Sequence, residues 1–314
     1  MNGILNVLKP AGMTSFDIVG FLRKASGQKK IGHTGTLDPS AVGVLPVCFG
    51  NATKAIEFMI DKDKVYRAEL TLGCATDTQD SSGKPVYVRE VEAGEEEISS
   101  VIKSFTGELQ QLPPMYSAIK IGGKKLYELA RRGETVERQP RNITIYSIEI
   151  IGMRDEPSSI ALNDGISGSG RSIRLKKVLL DVHCSKGTYI RTLCHDIGER
   201  LGCGGHMSFL VRTAAGQYPL DTALTIEEIK ESALNGTLEN RMLPVETVFT
   251  GYEEIFLDEK ETFKYKNGVW IGTISENPST AALKRVYDNK NIFLGVGEVF
   301  HNEGSAFLKS KKFF

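Results

Sequence analysis

Gly32-His33-Thr34-Gly35-Thr36-Leu37-Asp38-Pro39, continuing through Ala41-Val42-Gly43-Val44-Leu45-Pro46-Val47, holds one acid, Asp38, among small residues. Glycines at 32, 35 and 43 and prolines at 39 and 46 punctuate the run, which reads as a shaped loop rather than a helix or strand. Pro39 biases Asp38 toward an extended backbone, and small neighbours let another molecule approach. A carboxylate presented in this way suits a nucleophile or a general base. The plain alternative is an Asx-turn, the usual chemistry of Asp before Pro. A second run, Cys184-Ser185-Lys186-Gly187-Thr188-Tyr189-Ile190-Arg191, ends in a cation. Thr188 is placed to cap a helix whose apolar stripe is Ile190, Leu193, Cys194, Ile197 and Leu201, with Arg191 off that stripe. Arg191 is then either solvated or matched by an anion, because positive charge is disfavoured near a helix N-terminus.

Several elements must hold these runs in place. Leu5-Asn6-Val7-Leu8-Lys9-Pro10 predicts a short strand, and residues 11–15 a turn that ends in a helix-capping residue. Phe16, Val19 and Leu22 then recur at helical spacing, and Gly27 stops the helix. Residues 52–61 and 97–106 predict helices, the second with Ile98, Val101, Ile102 and Phe105 on one face. Residues 64–72 alternate, with Tyr66, Ala68, Leu70 and Leu72 on the apolar side of a half-buried strand. On this pattern Tyr66 is a core tyrosine. Residues 143–151 and 178–184 predict strands, and residues 155–171 a loop or insertion with no assigned function. Thr225 and Glu228 form a capping box for a helix to Ala233. From Gly251 onward, short strand-like pieces at 269–271, 284–287 and 291–294 alternate with Gly and Asn turns.

A chain of 314 residues suggests two domains, at ~150 residues each. No apolar run of ~18 residues is present, so no membrane span is expected, and Met1-Asn2-Gly3-Ile4-Leu5 does not open like a secretory signal. A cytoplasmic protein is the expectation. The 39 basic and 39 acidic residues balance, which does not advertise a nucleic-acid partner, but the charges are segregated. Residues 118–142 carry Lys120, Lys124, Lys125, Arg131, Arg132, Arg138 and Arg141 against Glu128, Glu134 and Glu137, whereas Glu95-Glu96-Glu97 centres an acidic stretch. That leaves room for a basic face. Five irregularly spaced cysteines suit reduced thiols. His183, Cys184, Cys194, His195, Cys203 and His206 cluster in sequence without the Cys-x2-Cys spacing of structural zinc sites, so no metal is expected. The acids of the polar run Gly73–Asp80 are read as turn and helix-cap residues.

The run around Asp38 closely resembles the signature of TruB-type pseudouridine synthases, which make pseudouridine-55 in the T arm of tRNA. The resemblance implies that Asp38 is the catalytic aspartate. It implies that Lys9 and Pro10, in Lys-Pro-x-Gly-x-Thr-Ser, support the loop together with Gly35. Tyr66, in the Lys-x-Tyr strand, becomes the active-site tyrosine, stacking on a flipped base or serving in proton removal from carbon 5. Arg191 falls beside Asp38 and favours its ionised form. Leu210, in Gly204-Gly205-His206-Met207-Ser208-Phe209-Leu210-Val211-Arg212-Thr213, becomes the floor of the base pocket, with His206 structural. His33 either takes the space the base leaves or bonds the loop backbone. The basic segment resembles an RNA-gripping insertion in which Lys120, Arg131 and Arg132 meet phosphates.

The fold implied is α+β: a mixed, largely antiparallel central sheet flanked by helices in residues 1–250, then a small, mainly β, PUA-like RNA-binding domain in 251–314. Gly295-Val296-Gly297-Glu298-Val299 carries the second likeness. The implied partner is the T stem-loop of tRNA, met by a monomer without guide RNA. The isomerisation needs no cofactor and no metal. Attack at ribose carbon 1′, attack at uracil carbon 6 and removal of the 2′ proton all remain open as the first step. Three rival readings are an RNA-folding chaperone, a guide-RNA-dependent synthase, which the basic insertion disfavours, and a glycoside hydrolase, for which no paired acid is identifiable.

Overall fold

The computed structural model describes residues 1–117, 119–130, 132–161, 172–273, 282–302 and 305–314. Strand β1 (Gly3–Lys9) leads to helix α1 (Ser15–Ser26). The helix opens on a reciprocal cap: Asp17 N donates to Thr14 Oγ1 at 3.0 Å and Thr14 N to the Asp17 carboxylate at 2.7 Å. Gly27 closes it in the left-handed conformation, as the sequence predicts. The buried stripe is Ile18, Val19 and Leu22. Phe16, expected on that stripe, is 66% exposed. It lies off the line those three define, and its ring sits under the Arg23 guanidinium instead.

Strands β2 (Ile31–His33) and β3 (Val42–Phe49) follow. The glycine–proline run is therefore a loop only over residues 34–41, not throughout as expected. The aliphatic residues of β3 pair along the whole of β1, from Gly3 opposite Phe49 to Lys9 opposite Gly43, and that pairing outweighs its glycine and proline. A 3-10 turn over Gly50–Ala55 and the short helix α2 (Ile56–Ile60) stand where one helix was expected. Strand β4 (Lys64–Leu72) is followed by the small pair β5 (Cys74–Thr76) and β6 (Pro85–Val88). Helix α3 (Glu95–Lys103) and β7 (Gly107–Gln111) precede the hairpin β8 (Lys120–Ile121) and β9 (Lys124–Lys125), which runs into α4 (Leu126–Ala130). The antiparallel pair β10 (Arg141–Ala161) and β11 (Ser172–Cys184) reaches further into the expected 155–171 loop than its composition suggests, and residues 162–171 lie outside the described residues. Helix α5 (Ile190–Arg200), β12 (Gly205–Ala215), β13 (Tyr218–Pro219) and α6 (Ile226–Leu234), with its Thr225–Glu228 capping box, complete this part.

Among the described residues nine of these strands form one sheet, ordered β1-β3-β12-β4-β11-β10-β7, with β2 beside β3 and β13 beside β12, while β5-β6 and β8-β9 pair separately. It is mixed because β12 runs parallel to β3, and antiparallel elsewhere, in agreement with the expected class. A second, five-stranded sheet joins β14 (Glu254–Phe256), β15 (Ile271–Thr273), β16 (Ala282–Tyr287), β17 (Phe293–Asn302) and β18 (Ser305–Phe313). It packs α7 (Glu259–Lys266) over a core that includes Tyr265, Val286 and Leu308. No described helix is long and apolar enough to cross a membrane.

The main core lies on one face of β4, β11 and β12, where Ala68, Leu70, Val178, Leu180 and Val182 meet Leu193, Cys194 and Ile197 of α5. That contact sets where the first turn of α5, and so Arg191, stands. At Gly43 the backbone of β12 comes close to β3. Its φ is +117°, and a Cβ there would lie 2.2 Å from the Arg212 carbonyl oxygen. Gly43→Ala is expected to destabilise the protein by about 3 kcal/mol, combining backbone strain with a backbone clash. Urea denaturation measures this.

Candidate active site

Asp38 stands in the loop between β2 and β3. Ala41 N donates to the Asp38 carbonyl at 3.1 Å, so the backbone does turn at Asp-Pro. The loop is pinned from outside: Leu37 N donates to Ser15 Oγ at 2.8 Å, and Gly12 N to the Pro39 carbonyl at 2.8 Å. Lys9 is fully buried beneath it. Its Nζ donates to the carbonyls of Met13 at 2.6 Å, Pro10 at 2.9 Å and Pro39 at 3.3 Å. Burial brings the Lys9 ammonium down to a pKa of about 8, against an opposing pull from Asp38.

The Asp38 carboxylate faces Arg191, 153 residues away in the chain. Arg191 Nε lies 3.0 Å from Asp38 Oδ2, and Nη2 lies 3.4 Å from Oδ1. The other guanidinium contacts are Nη2 to the Tyr116 carbonyl at 2.8 Å, Nη1 to the Thr78 carbonyl at 3.3 Å, and Nη1 to Asp80 Oδ2 at 3.7 Å. The Arg191 side chain is 6% exposed, whereas that of Asp38 is 34% exposed. The cation is thus hidden and the acid reachable. Burial raises the Asp38 pKa, Arg191 opposes that rise, Asp80 adds to it and Lys9 lowers it.

Arg191 is buried among these partners rather than solvated, and the start of α5 is held differently from the expectation. Thr188 does not cap the helix; its hydroxyl donates to the Ser185 carbonyl at 3.0 Å. The N-cap is Tyr189, with no side-chain cap. Gln111 fixes Tyr189 on both sides, accepting from its N–H at 2.8 Å and donating to its carbonyl at 3.0 Å.

Tyr66 is half-buried on β4, directly opposite Arg212 of β12 and Val182 of β11. It packs against the cluster that holds Leu37, Ala41 and Leu210. Burial raises the pKa of its hydroxyl, and the Arg212 guanidinium opposes the rise. Tyr189 responds similarly: burial raises its pKa, the Arg141 and Arg191 guanidinium groups oppose the rise and Asp38 adds to it. Leu210 is buried, and His33 at the end of β2 accepts at Nδ1 from Gly35 N at 3.4 Å. Burial and Arg212 lower the His33 pKa. Asp38, Arg191, Tyr66, Leu210, Lys9, Pro10 and Gly35 are therefore neighbours or share contacts. Arg132, exposed just beyond α4, belongs to the basic segment. Arg131 and the Lys120 side chain lie outside the described residues. All five cysteines are free and buried, and no group of three or more His, Cys, Asp or Glu among the described residues could hold a metal ion.

Residues 23–190 match the model of the TruB family pseudouridylate synthase N-terminal domain, and residues 191–250 that of the tRNA pseudouridylate synthase B C-terminal domain. The chain belongs to the TruB family. It is 55% identical over 246 residues to the tRNA pseudouridine synthase B of Alkaliphilus oremlandii, covering 78% of this chain and 75% of the relative. It is 45% identical over 298 residues to that of Caldanaerobacter subterraneus subsp. tengcongensis, with 95% of each chain covered. Among solved structures, a chain of a Cbf5–Nop10–Gar1 complex superposes with a TM-score of 0.68 at 25% identity, covering 99% of this chain and 85% of that one. A chain of an H/ACA ribonucleoprotein bound to a substrate RNA containing 2′-deoxyuridine gives 0.69 at 23% identity, covering 99% and 84%.

In this TruB-family site two charged residues had no assigned part. Asp80 keeps its expected turn role, accepting at Oδ1 from Thr78 Oγ1 at 2.7 Å and Ser82 N at 2.9 Å, and also turns Oδ2 to Arg191. Arg212 is fully buried two residues beyond Leu210 on the inward row of β12. Its signal was a charge at an apolar alternation position. Arg191→Met is expected to destabilise the protein by about 2 kcal/mol at pH 7.5. That is less than for a fully buried pair, because part of Asp38 is already in water. Without Arg191 the Asp38 pKa rises further, so protonation relieves the uncompensated charge. The deficit should therefore shrink at pH 5, as read by urea denaturation at both values.

Proposed function

We propose that this TruB-family chain isomerises a uridine of tRNA to pseudouridine, and that the uridine is position 55 of the T loop. The observation that carries the reading is the Asp38–Arg191 pair: a reachable carboxylate paired with a hidden guanidinium. The reaction detaches uracil from ribose at nitrogen 1, turns it and rejoins it through carbon 5. It is redox-neutral, so an ionised carboxylate can begin it by adding to carbon 1′ or carbon 6, or by taking the 2′ proton. Asp38 is the residue that does so. Arg191 steadies its charge and position, and Tyr66 meets the base as a stacking ring and a candidate acceptor of the carbon-5 proton.

A T-loop uridine is stacked within folded RNA and has to be turned out before Asp38 can reach it. Leu210 supplies an apolar floor and His33 takes the space the base vacates. Lys120, Arg131 and Arg132 of the basic segment grip phosphates, which makes binding salt-dependent. Residues 1–250 carry the chemistry and residues 251–314 act as a PUA-like RNA-binding domain, without guide RNA. The relatives' shared name, the family match and the charge segregation all support this assignment.

The test is incubation of the protein alone with unmodified tRNA, followed by mapping of the modified position. Pseudouridine at position 55 is the expected product. No conversion, conversion elsewhere in the tRNA, or conversion only when a guide RNA is added would overturn the reading.

A further inference from the structure

Arg212 is a buried cation in an unusual setting. Its side chain is 2% exposed, and among the described residues it forms no ion pair. Its Nε donates to the Val44 carbonyl at 2.7 Å and its Nη2 to the Gly35 carbonyl at 3.2 Å. Gly35 lies in the Asp38 loop before the acid, and Val44 in β3, the strand that leaves the loop after it. The same guanidinium stands beside the Tyr66 hydroxyl, whose strand position pairs with its own. A buried charge without a carboxylate is costly unless hydrogen bonds compensate it. Here the compensation comes from backbone carbonyls on either side of Asp38.

We propose that Arg212 is a positioning residue for the pseudouridine reaction: it clamps the backbone on both flanks of Asp38 and fixes Tyr66 against it. The inference rests on the function proposed above. The planar fork explains why an arginine occupies the position. One guanidinium reaches both Val44 and Gly35 from a single stem while facing Tyr66 on the neighbouring strand, a geometry that a point-like ammonium cannot reproduce. The close approach at Gly43 serves the same arrangement, because it brings the Arg212 backbone onto the start of β3. The positive field also reaches Lys9 and His33, which border the same loop, and disfavours the protonated form of each.

The test compares wild type with Arg212→Gln and Arg212→Lys in single-turnover conversion of T-loop tRNA, alongside tRNA affinity and thermal unfolding. Misplacing reacting groups by about 1 Å costs on the order of 100-fold in rate. Arg212→Gln is therefore expected to lose rate on that scale, with tRNA affinity within about threefold of wild type. Arg212→Lys keeps the charge but not the fork, and is expected to lose about tenfold. If Arg212→Gln does not fold, Arg212→Lys carries the test. Rates within about threefold of wild type in a folded variant would overturn the proposal. So would parallel losses of affinity, stability and rate, which would make Arg212 a structural strut. Absence of conversion by wild type in the same assay would sink the underlying function instead, so the two failures are distinguishable.

Discussion

One buried guanidinium organises this molecule. Arg191 divides its donors among the Asp38 carboxylate, Asp80 and the carbonyls of Thr78 and Tyr116. The four partners come from three segments: Asp38 from the β2–β3 loop, Thr78 and Asp80 from the polar loop after β5, and Tyr116 from the stem of the basic region. A cation so far from water is tolerable only when its donors are satisfied. Three loop segments are therefore coupled through one side chain, and displacing any of them leaves a buried donor unpaired. The same guanidinium opposes the rise that burial imposes on the Asp38 pKa, which stays above its ordinary value.

The sheet explains how residues so distant in sequence meet. Strand β12 lies between β3 and β4, so the loop bearing Asp38, the tyrosine of β4 and the inward row of β12 share one end of the sheet. Helix α5 packs across the same face, and glycine makes that contact close: a Cβ on Gly198 would lie 2.2 Å from Gly205 N. The start of α5 then falls over the loop. Two arginines hold this region, Arg191 gripping the Asp38 carboxylate and Arg212 the backbone on both flanks of the acid.

Much of this was legible in local pattern. The alternation of residues 64–72 placed Ala68, Leu70 and Leu72 inward, as observed, and Thr225 with Glu228 marked a helix start. Asp38 stood out because glycine and proline isolate it, and Arg191 because a cation there needs an anion. The misses share a cause: tertiary pairing overrode local signals. Val42–Phe49 is a strand because β1 lies along it, whatever Gly43 and Pro46 suggest. Thr188 yields the cap position because Gln111, remote in sequence, holds Tyr189. Arg212 was passed over because its acceptors are carbonyls, and backbone acceptors leave no trace in residue type.

The account stands on the Asp38 carboxylate doing chemistry rather than merely closing a turn. Asp38→Asn keeps size and hydrogen-bonding capacity but removes the negative charge. Its measurement is single-turnover pseudouridine formation beside tRNA affinity, with deamidation excluded by mass. The account predicts that conversion disappears while affinity stays within several-fold of wild type. Turnover retained by the Asp38→Asn protein would contradict it.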